Sequence, residues 1–122
     1  MGYVEGFVIP VAVADRDRFI AASEAIDAVF LEHGALRVVE CWGDDVPHGT
    51  LTDFHRAVVA TEDETVAFSW IEWPDKATRD TAHAKLGNLM DTDPRFKDNP
   101  MPFDGKRMIF GGFFPVVSLG DK

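Results

Sequence analysis

Apolar side chains dominate the start of the chain and change their spacing at residue 15. Residues 3–13, YVEGFVIPVAV, are rich in β-branched and aromatic types and predict a strand that is apolar on both faces. Pro10 indicates a bulge or an exit to the sheet edge near the end of that strand. Asp15 is an expected N-cap, and Gly34 an expected helix stop. Between them apolar residues recur at helical spacing, namely Phe19, Ala22, Ile26, Val29 and Phe30, followed by His33.

The middle of the chain predicts further strands. Residues 35–42, ALRVVECW, alternate between two sets of side chains and predict a second strand. Residues 55–61 and 65–73 flank the polar turn EDE and predict a hairpin, of which 65–73 has the stronger pattern. The segment between the second strand and the hairpin is rich in aspartate, proline and glycine and predicts a loop.

A second helix and a last strand complete the pattern. Asp75 is expected to cap a helix, and the DTDP segment at 91–94 is expected to end it. Residues 91–106 contain three prolines and a glycine and predict an ordered loop with at most one short helical turn. Residues 107–119, RMIFGGFFPVVSL, predict the last strand, in which Gly111-Gly112 indicates a bulge or the close approach of another backbone. The buried stripe of the second helix is expected to contain Ala82, Leu86, Leu89 and Met90.

The order β-α-β, hairpin, α-β has one strand more than βαββαβ, the weaker hairpin arm at 55–61. It predicts an α+β fold of the ferredoxin-like βαββαβ type, with an antiparallel sheet and two helices on one face. A chain of 122 residues fits one domain over residues 1–122. Strands one, three and four are apolar on both sides, so the face away from the helices would expose a large apolar patch in a monomer. We therefore expect a homodimer, in which two sheets face each other as a dimeric α+β barrel and bury ~1,600 Å² or more.

Charge and composition narrow the possible partners. The chain has 12 lysines and arginines against 21 aspartates and glutamates, a formal net charge of −9. Because such a field repels phosphate backbones, we expect no nucleic-acid partner. No stretch approaches the ~20 apolar residues of a membrane helix, and the N-terminus lacks the basic start of a signal peptide. Together with a single cysteine, these features predict a cytoplasmic protein without a membrane partner.

Four stretches resemble the YbaA-like family, an uncharacterised bacterial group described as a domain of unknown function. They are GYVEGFVIPV, EHGALRVVECWGDDVPHGTLTDFHRAV, FSWIEW and, most specifically, MPFDGKRMIFGGF, and they cover nearly the whole chain. The resemblance implies a dimeric α+β barrel. That superfamily also includes cofactor-independent monooxygenases of aromatic polyketides, muconolactone isomerase-like enzymes and haem-binding relatives. It implies no reaction, because the family has no established one and a fold alone does not define a function.

The segment between residues 40 and 58 holds a candidate metal-binding set. His48, Asp53 and His55 could supply two imidazoles and one carboxylate to a divalent ion. Their spacing matches no metal motif, and the YbaA-like family commonly has other residue types at the two histidine positions. We therefore expect an acidic, solvated loop in which aspartates cap turns, with Asp53 as an anchor, and we expect neither a metal nor another cofactor.

Three polar residues are the candidates for catalysis. His33 lies beside the expected end of the first helix, where the helix dipole favours its charged form, and it can transfer protons if the ring faces a cavity. Asp53 is the second candidate. Arg107 is expected to pair with Asp104 or another acidic loop residue, although an arginine at a barrel mouth can also hold a carboxylate. Cys41 is expected to be an inert strand residue.

Aromatic residues are the candidates for ligand binding, because small-molecule sites are apolar cavities with a few polar groups. They are Trp42, Phe68, Trp70 and Phe110, and core or interface packing is the simpler interpretation of all four. The leading hypothesis is a homodimer that binds a small apolar or aromatic molecule, with a monooxygenase-like or isomerase-like reaction as an extension. The alternatives are a non-catalytic structural or binding dimer and a divalent-metal protein.

Overall fold

The structure, a computed structural model, describes residues 2–120 and has the predicted ferredoxin-like order with two short additional helices. A 3-10 turn at Val13–Asp15 connects the first strand to the first helix. No helix among the described residues is both long enough and apolar enough to cross a membrane. The elements in chain order are β1 (Tyr3–Ala12), α1 (Arg16–Glu32), β2 (Arg37–Trp42), α2 (Phe54–Ala57), β3 (Glu64–Trp73), α3 (Lys76–Thr92), α4 (Pro94–Asp98) and β4 (Ile109–Phe113).

The four strands form one antiparallel sheet in the order β2-β3-β1-β4. β1 and β3 are the central strands and pair over their whole length, from Tyr3 opposite Trp73 to Ala12 opposite Glu64. Of the two alternatives predicted at Pro10, a bulge or an exit to the sheet edge, the bulge was wrong, since Pro10 pairs opposite Val66 without a break in register. β4 pairs with β1 only between Val4 and Val8. Pro10 therefore lies where one edge of β1 is free, a position that tolerates a residue without an N–H.

The predicted hairpin of 55–61 with 65–73 was wrong in its first arm. The strand that pairs with β3 on the side away from β1 is β2, with Arg37 opposite Glu72, and residues 54–57 form α2 instead of a strand. The physical reason is Asp53, whose carboxylate accepts a hydrogen bond from the Arg56 amide at 2.7 Å and so caps a helical turn. Val58 behind this turn is fully buried, which fixes the segment against the rest of the fold.

α1 supplies most of the apolar packing on the helical face of the sheet. Its buried residues include Phe19, Ile26 and Val29. Two clusters form the core on this face: one is built from Tyr3, Ala35, Ile71, Trp73 and Ala82, and the other from Ile9, Val11, Phe19 and Ala67. The helix ends at Glu32, and the chain turns away from it at Gly34, whose φ of +104° favours glycine, as expected. At the other end, Asp15 occupies the N-cap position but accepts from the Arg18 side chain instead of a backbone amide.

α3 begins as predicted but packs differently. The Asp75 carboxylate accepts from the Thr78 amide at 2.7 Å and caps the helix. Only Ala82 of the expected stripe is buried, whereas Met90 is 55% exposed, and Leu86 and Leu89 are half-buried. Arg79 and His83 of this helix instead face the Glu5 carboxylate of the sheet, so much of the contact between α3 and the sheet is polar.

The last strand is shorter than predicted. Pairing with β1 covers only Ile109–Phe113, and residues 114–120 continue without strand structure. The double glycine marks neither a bulge nor the approach of another backbone, since the pairing with β1 is continuous. The group that approaches is a side chain: a Cβ built on Gly112 would lie 2.6 Å from Cζ of Tyr3 and overlap its hydroxyl oxygen. α4 is the single short helical turn expected within residues 91–106.

We predict opposite effects of alanine at two glycines. Gly112→Ala should lower the free energy of unfolding by about 1–3 kcal/mol, because the new methyl group displaces the Tyr3 ring. Gly87→Ala is the matched control: it lies inside α3 with no atom within 4 Å of the added Cβ, and should raise stability by about 0.5–1 kcal/mol. Urea unfolding at one fixed protein concentration measures both. Equal effects of the two substitutions would contradict the close approach at Gly112.

Candidate functional site

The face of the sheet away from the helices, here called the open face, is predominantly apolar. Strand alternation and the observed register place on it Val4, Gly6 and Val8 of β1, Phe68, Trp70 and Glu72 of β3, and Ile109, Gly111 and Phe113 of β4. Phe68 and Ile109 are each 45% exposed, and Phe113 is 61% exposed. These residues line a cavity of about 1250 Å³ over the central strands. The cavity is large enough for a small molecule.

One charged group with a defined partner lines this cavity. The Glu72 carboxylate accepts a hydrogen bond from Trp70 Nε1 at 2.8 Å, and its Oε2 lies 3.7 Å from Arg37 Nη1. The Glu72 side chain is 35% exposed. A carboxylate beside an indole ring can orient a bound molecule that presents a hydroxyl or amine donor to it.

The structure brings together two of the four predicted ligand-binding residues on the open face, Phe68 and Trp70. Phe110 borders the cavity from the edge strand, but it pairs opposite Phe7 on the other face and stacks on it with ring centroids 6.0 Å apart. Trp42 points to the helical face, packs 5.7 Å from the Phe19 ring, and borders a smaller cavity of about 170 Å³.

A buried polar cluster lies on the helical face, built around Glu5. The Glu5 side chain is 1% exposed, and its Oε1 accepts from Trp73 Nε1 at 2.8 Å. His83 Nε2 lies 2.9 Å from the other carboxylate oxygen, and Arg79 Nη1 lies 3.7 Å from it. Arg79 also donates to the Tyr3 hydroxyl at 2.9 Å and covers the Tyr3 ring. The Glu5 cluster (Tyr3, Glu5, Trp73, Arg79, His83) thus compensates a carboxylate removed from water.

A second pair of carboxyl groups connects α1 to β2. The Asp27 carboxyl group lies within hydrogen-bonding reach of Glu40, and Glu40 pairs across the sheet with the buried Ser69. Burial raises the pKa of Asp27 to about 9, and the hydrogen bond and the negative charge of Glu40 act in the same direction. The Asp27 carboxyl group therefore keeps its proton at neutral pH.

Two of the predicted catalytic residues have structural partners away from the cavity. His33 Nδ1 lies 2.8 Å from the Val29 carbonyl oxygen at the end of α1. Arg107 binds both oxygens of Glu64, at 2.7 and 2.8 Å, and also contacts Asp104 and the Val59 carbonyl. The Arg107 hydrogen bonds lower the pKa of Glu64 to about 2. The expected pairing of Arg107 with an acidic loop residue is therefore present, and Glu64 is its main partner.

The third candidate, Asp53, anchors the loop between β2 and β3. Its carboxylate accepts from the amides of Arg56 at 2.7 Å and Gly49 at 3.1 Å, and these hydrogen bonds hold its pKa below the usual range. The same loop brings the two histidines together: the His48 and His55 rings stack with centroids 4.4 Å apart. Ligand atoms of His48, Asp53 and His55 all lie within 4.8 Å of one another.

Comparison of the sequence with known proteins defines its family. The family described as "Protein of unknown function (DUF1428)" matches residues 2–105. The chain belongs to the DUF1428 family. Uncharacterized protein YbaA of Escherichia coli K12 is 50% identical over 119 residues, which cover 96% of this chain and 98% of that protein. YbaA of Shigella flexneri matches to the same extent. The resemblance that the sequence motifs indicated is confirmed.

Solved structures share the fold of this DUF1428 protein at low sequence identity. A dimeric ferredoxin-like protein from an uncultured marine organism has a TM-score of 0.61 at 14% identity, covering 98% of this chain and all of that one. A monooxygenase from the gene ActVA-Orf6 of Streptomyces coelicolor, in complex with Nanaomycin D, has a TM-score of 0.58 at 11% identity and covers 99% and 93%. An uncharacterized NIPSNAP domain protein from Burkholderia xenovorans has a TM-score of 0.58 at 15% identity, covering 98% and 99%. These similarities establish the ferredoxin-like fold.

Sequence patterns did not reveal the two carboxylate clusters of this DUF1428 protein. Glu5 lies in an apolar strand and alternation places it on the same face as Tyr3, Ile9 and Val11, all of which are buried. That alternation was the sequence feature that could have predicted a buried Glu5. Its partners in α3 could not be identified, because His83 is 78 positions away in the chain. Asp27 lies beside the apolar stripe of α1, four residues after the buried Ser23, and faces Glu40 only once the helix packs on the sheet.

We predict that the Asp27–Glu40 pair destabilises the fold at high pH. The pKa of Asp27 is about 9 in the folded chain against an ordinary 3.8, so its contribution to stability is fully present below pH 3.8 and is lost as pH rises to about 9. Asp27→Asn keeps a neutral side chain and should reduce the fall in unfolding free energy between pH 5 and about 9. Asp17→Asn, at a position 98% exposed on the same helix, is the control. Identical pH profiles for wild type and Asp27→Asn in urea unfolding would contradict the assignment.

Proposed function

We propose that the protein is a homodimer whose two open faces pack together and bind a small apolar or aromatic molecule between them. The observation that carries this proposal is the cavity of about 1250 Å³ on a sheet face lined mainly by aromatic and aliphatic side chains. Exposed apolar patches of this kind mark interaction surfaces in soluble proteins.

A second copy of the chain is the occupant that the open face fits. Glu72 and Arg37 are charged residues of this face and lie near each other. Because their charges are opposite, two open faces can pack together without bringing like charges into contact. The chain has a net charge of −9, which makes a face with so little net charge the favourable surface for self-association. The dimeric ferredoxin-like protein with the same fold supports this arrangement. A two-fold interface of this kind uses the same patch on both copies.

The chemistry of the lining favours a planar ligand with a hydrogen-bond donor. Phe68 and Trp70 provide ring surfaces, and Glu72 provides an acceptor beside them. Aromatic ligands gain both apolar burial and ring stacking in such a site. The monooxygenase of the same fold is in complex with Nanaomycin D, which supports a search among quinones and phenols.

The proposal extends to a monooxygenase-like or isomerase-like reaction on the bound molecule. Cofactor-independent oxygenation and isomerisation both need a group that moves a proton, and Glu72 provides a carboxyl group at the cavity.

The non-catalytic dimer is the second candidate. It is favoured by the exposed apolar residues after β4, including Phe114, Val117 and Leu119, which could fill a partner's cavity in place of a ligand.

We predict that a charge on the open face dissociates the dimer. Wild type should sediment as a dimer at micromolar concentration, and Ile109→Lys should weaken association at least tenfold, about 1.4 kcal/mol, because it buries an unpaired ammonium group. Leu31→Lys, at a position 50% exposed on α1, is the control and should remain dimeric. A wild-type monomer, or a folded Ile109→Lys variant with unchanged association, would show that the open face is not the interface.

We predict that aromatic ligands raise the melting temperature and change the fluorescence of Trp70. A ligand at 100 times its dissociation constant adds ~2.7 kcal/mol of stability, which a thermal shift detects. A panel of hydroxyquinones, phenols and aromatic acids is the appropriate probe. The fluorescence response should be lost in Trp70→Phe and kept in Trp42→Phe, because Trp42 lies on the helical face. No thermal shift across the panel would favour the non-catalytic dimer.

A further inference from the structure

We propose that His48, Asp53 and His55 form a binding site for a divalent metal ion, with zinc as the ion that these ligands suit best. Two imidazoles and one carboxylate are a ligand set that zinc and other first-row divalent ions accept, and the set leaves a coordination position for water. The proposal is independent of the dimer and of the open-face cavity.

The distances fit a site that closes slightly around an ion. Ligand atoms of the three residues lie within 4.8 Å of one another, and His48 Nδ1 is 3.8 Å from Asp53 Oδ2. Tetrahedral zinc with bonds of about 2.0–2.2 Å brings its ligand atoms to about 3.3 Å from each other. The required movement is about 1.5 Å at most, which side-chain rotation supplies.

The carboxylate is already positioned. Asp53 is 3% exposed at its side chain, and backbone amides of Gly49 and Arg56 each donate to one of its oxygens. A carboxylate oxygen has two lone pairs, so each oxygen can still bind an ion after accepting one hydrogen bond. Hydrogen bonds of this kind orient metal ligands in established sites.

The strongest indication comes from His55. Its Nδ1 atom is buried and has no hydrogen-bond partner among residues 2–120. A buried nitrogen without a partner loses the free energy of its interaction with water, and a bound ion would replace that interaction. His48, in contrast, is 77% exposed at its side chain and can rotate out of the ring stack to complete the site.

Arg56 competes with the ion for Asp53. Its Nε atom lies 3.6 Å from Asp53 Oδ2, while its Nη1 atom donates to the Thr50 carbonyl oxygen at 3.0 Å. The positive charge of the guanidinium group therefore repels a metal ion at this site and weakens its binding. Replacement of this arginine by a neutral residue should strengthen metal binding.

The ion would also fix an aromatic contact. Phe54 lies between two of the ligands in sequence, and its ring packs edge-on against Phe68 at 6.0 Å. Metal binding should therefore stabilise the segment that positions Phe54, and a rise in melting temperature is a second readout of the same event.

Isothermal titration with zinc chloride tests the proposal. Protein freed of any histidine tag and of bound metal should take up one zinc ion per chain, and His48→Ala and His55→Ala should each weaken binding by at least about tenfold. Arg56→Gln should strengthen it. His33→Ala is the matched control and should leave binding unchanged, because His33 contacts the Val29 carbonyl oxygen far along the chain from this loop.

Two results would overturn the proposal. One is the absence of zinc binding by wild type at millimolar zinc. The other is unchanged affinity in folded His48→Ala and His55→Ala, which would indicate scattered surface binding. His48→Ala removes an exposed ring and should fold normally, as circular dichroism will verify. Titration with cobalt chloride gives a separate check, because the visible absorption of tetrahedral cobalt should appear in wild type and be lost in His48→Ala.

Discussion

Apolar side chains on both faces of one four-stranded sheet are the constraint on which the rest of the structure depends. Strand alternation gives each face its own set of residues, and α1 covers one set with Phe19, Ile26 and Val29. Within residues 2–120 no long helix covers the other set: α2 contacts it through Phe54 on Phe68, and Phe113 and Ile109 remain exposed there. Both the proposed dimer and the proposed ligand are ways to remove the same surface from water.

The sequence was sufficient for elements whose signal is local. The periodicity of α1, its stop at Gly34 and the cap at Asp75 all appear in the structure. The strand predicted at 55–61 failed because alternation over so few residues competes with a strong local cap, and the Asp53 carboxylate determines the outcome there. The predicted buried stripe of α3 was wrong because of a tertiary contact: the helix packs against the Glu5 carboxylate of the sheet. The spacing of apolar residues cannot predict such a polar contact.

The candidate site could be predicted only in part. Aromatic residues in the strands indicated a cavity, and Phe68 and Trp70 lie there, but the role of Glu72 depends on cross-strand geometry. The histidines of the loop matched no spacing motif, because the stacking of His48 on His55 results from the turn that Asp53 stabilises. Contacts of this kind come from loop conformation, and residue spacing alone does not encode them.

The Glu5 cluster restricts how this fold can diverge. Loss of the carboxylate alone would leave Arg79 and the Trp73 indole N–H facing a buried gap, and loss of Arg79 alone would leave Glu5 with His83 as its remaining ionisable partner. Replacing one member of a buried charge cluster is far more damaging than replacing all members by apolar residues together. Descendants of this chain should therefore keep the whole set or exchange it in a concerted way, so that these residues are inherited as a single unit.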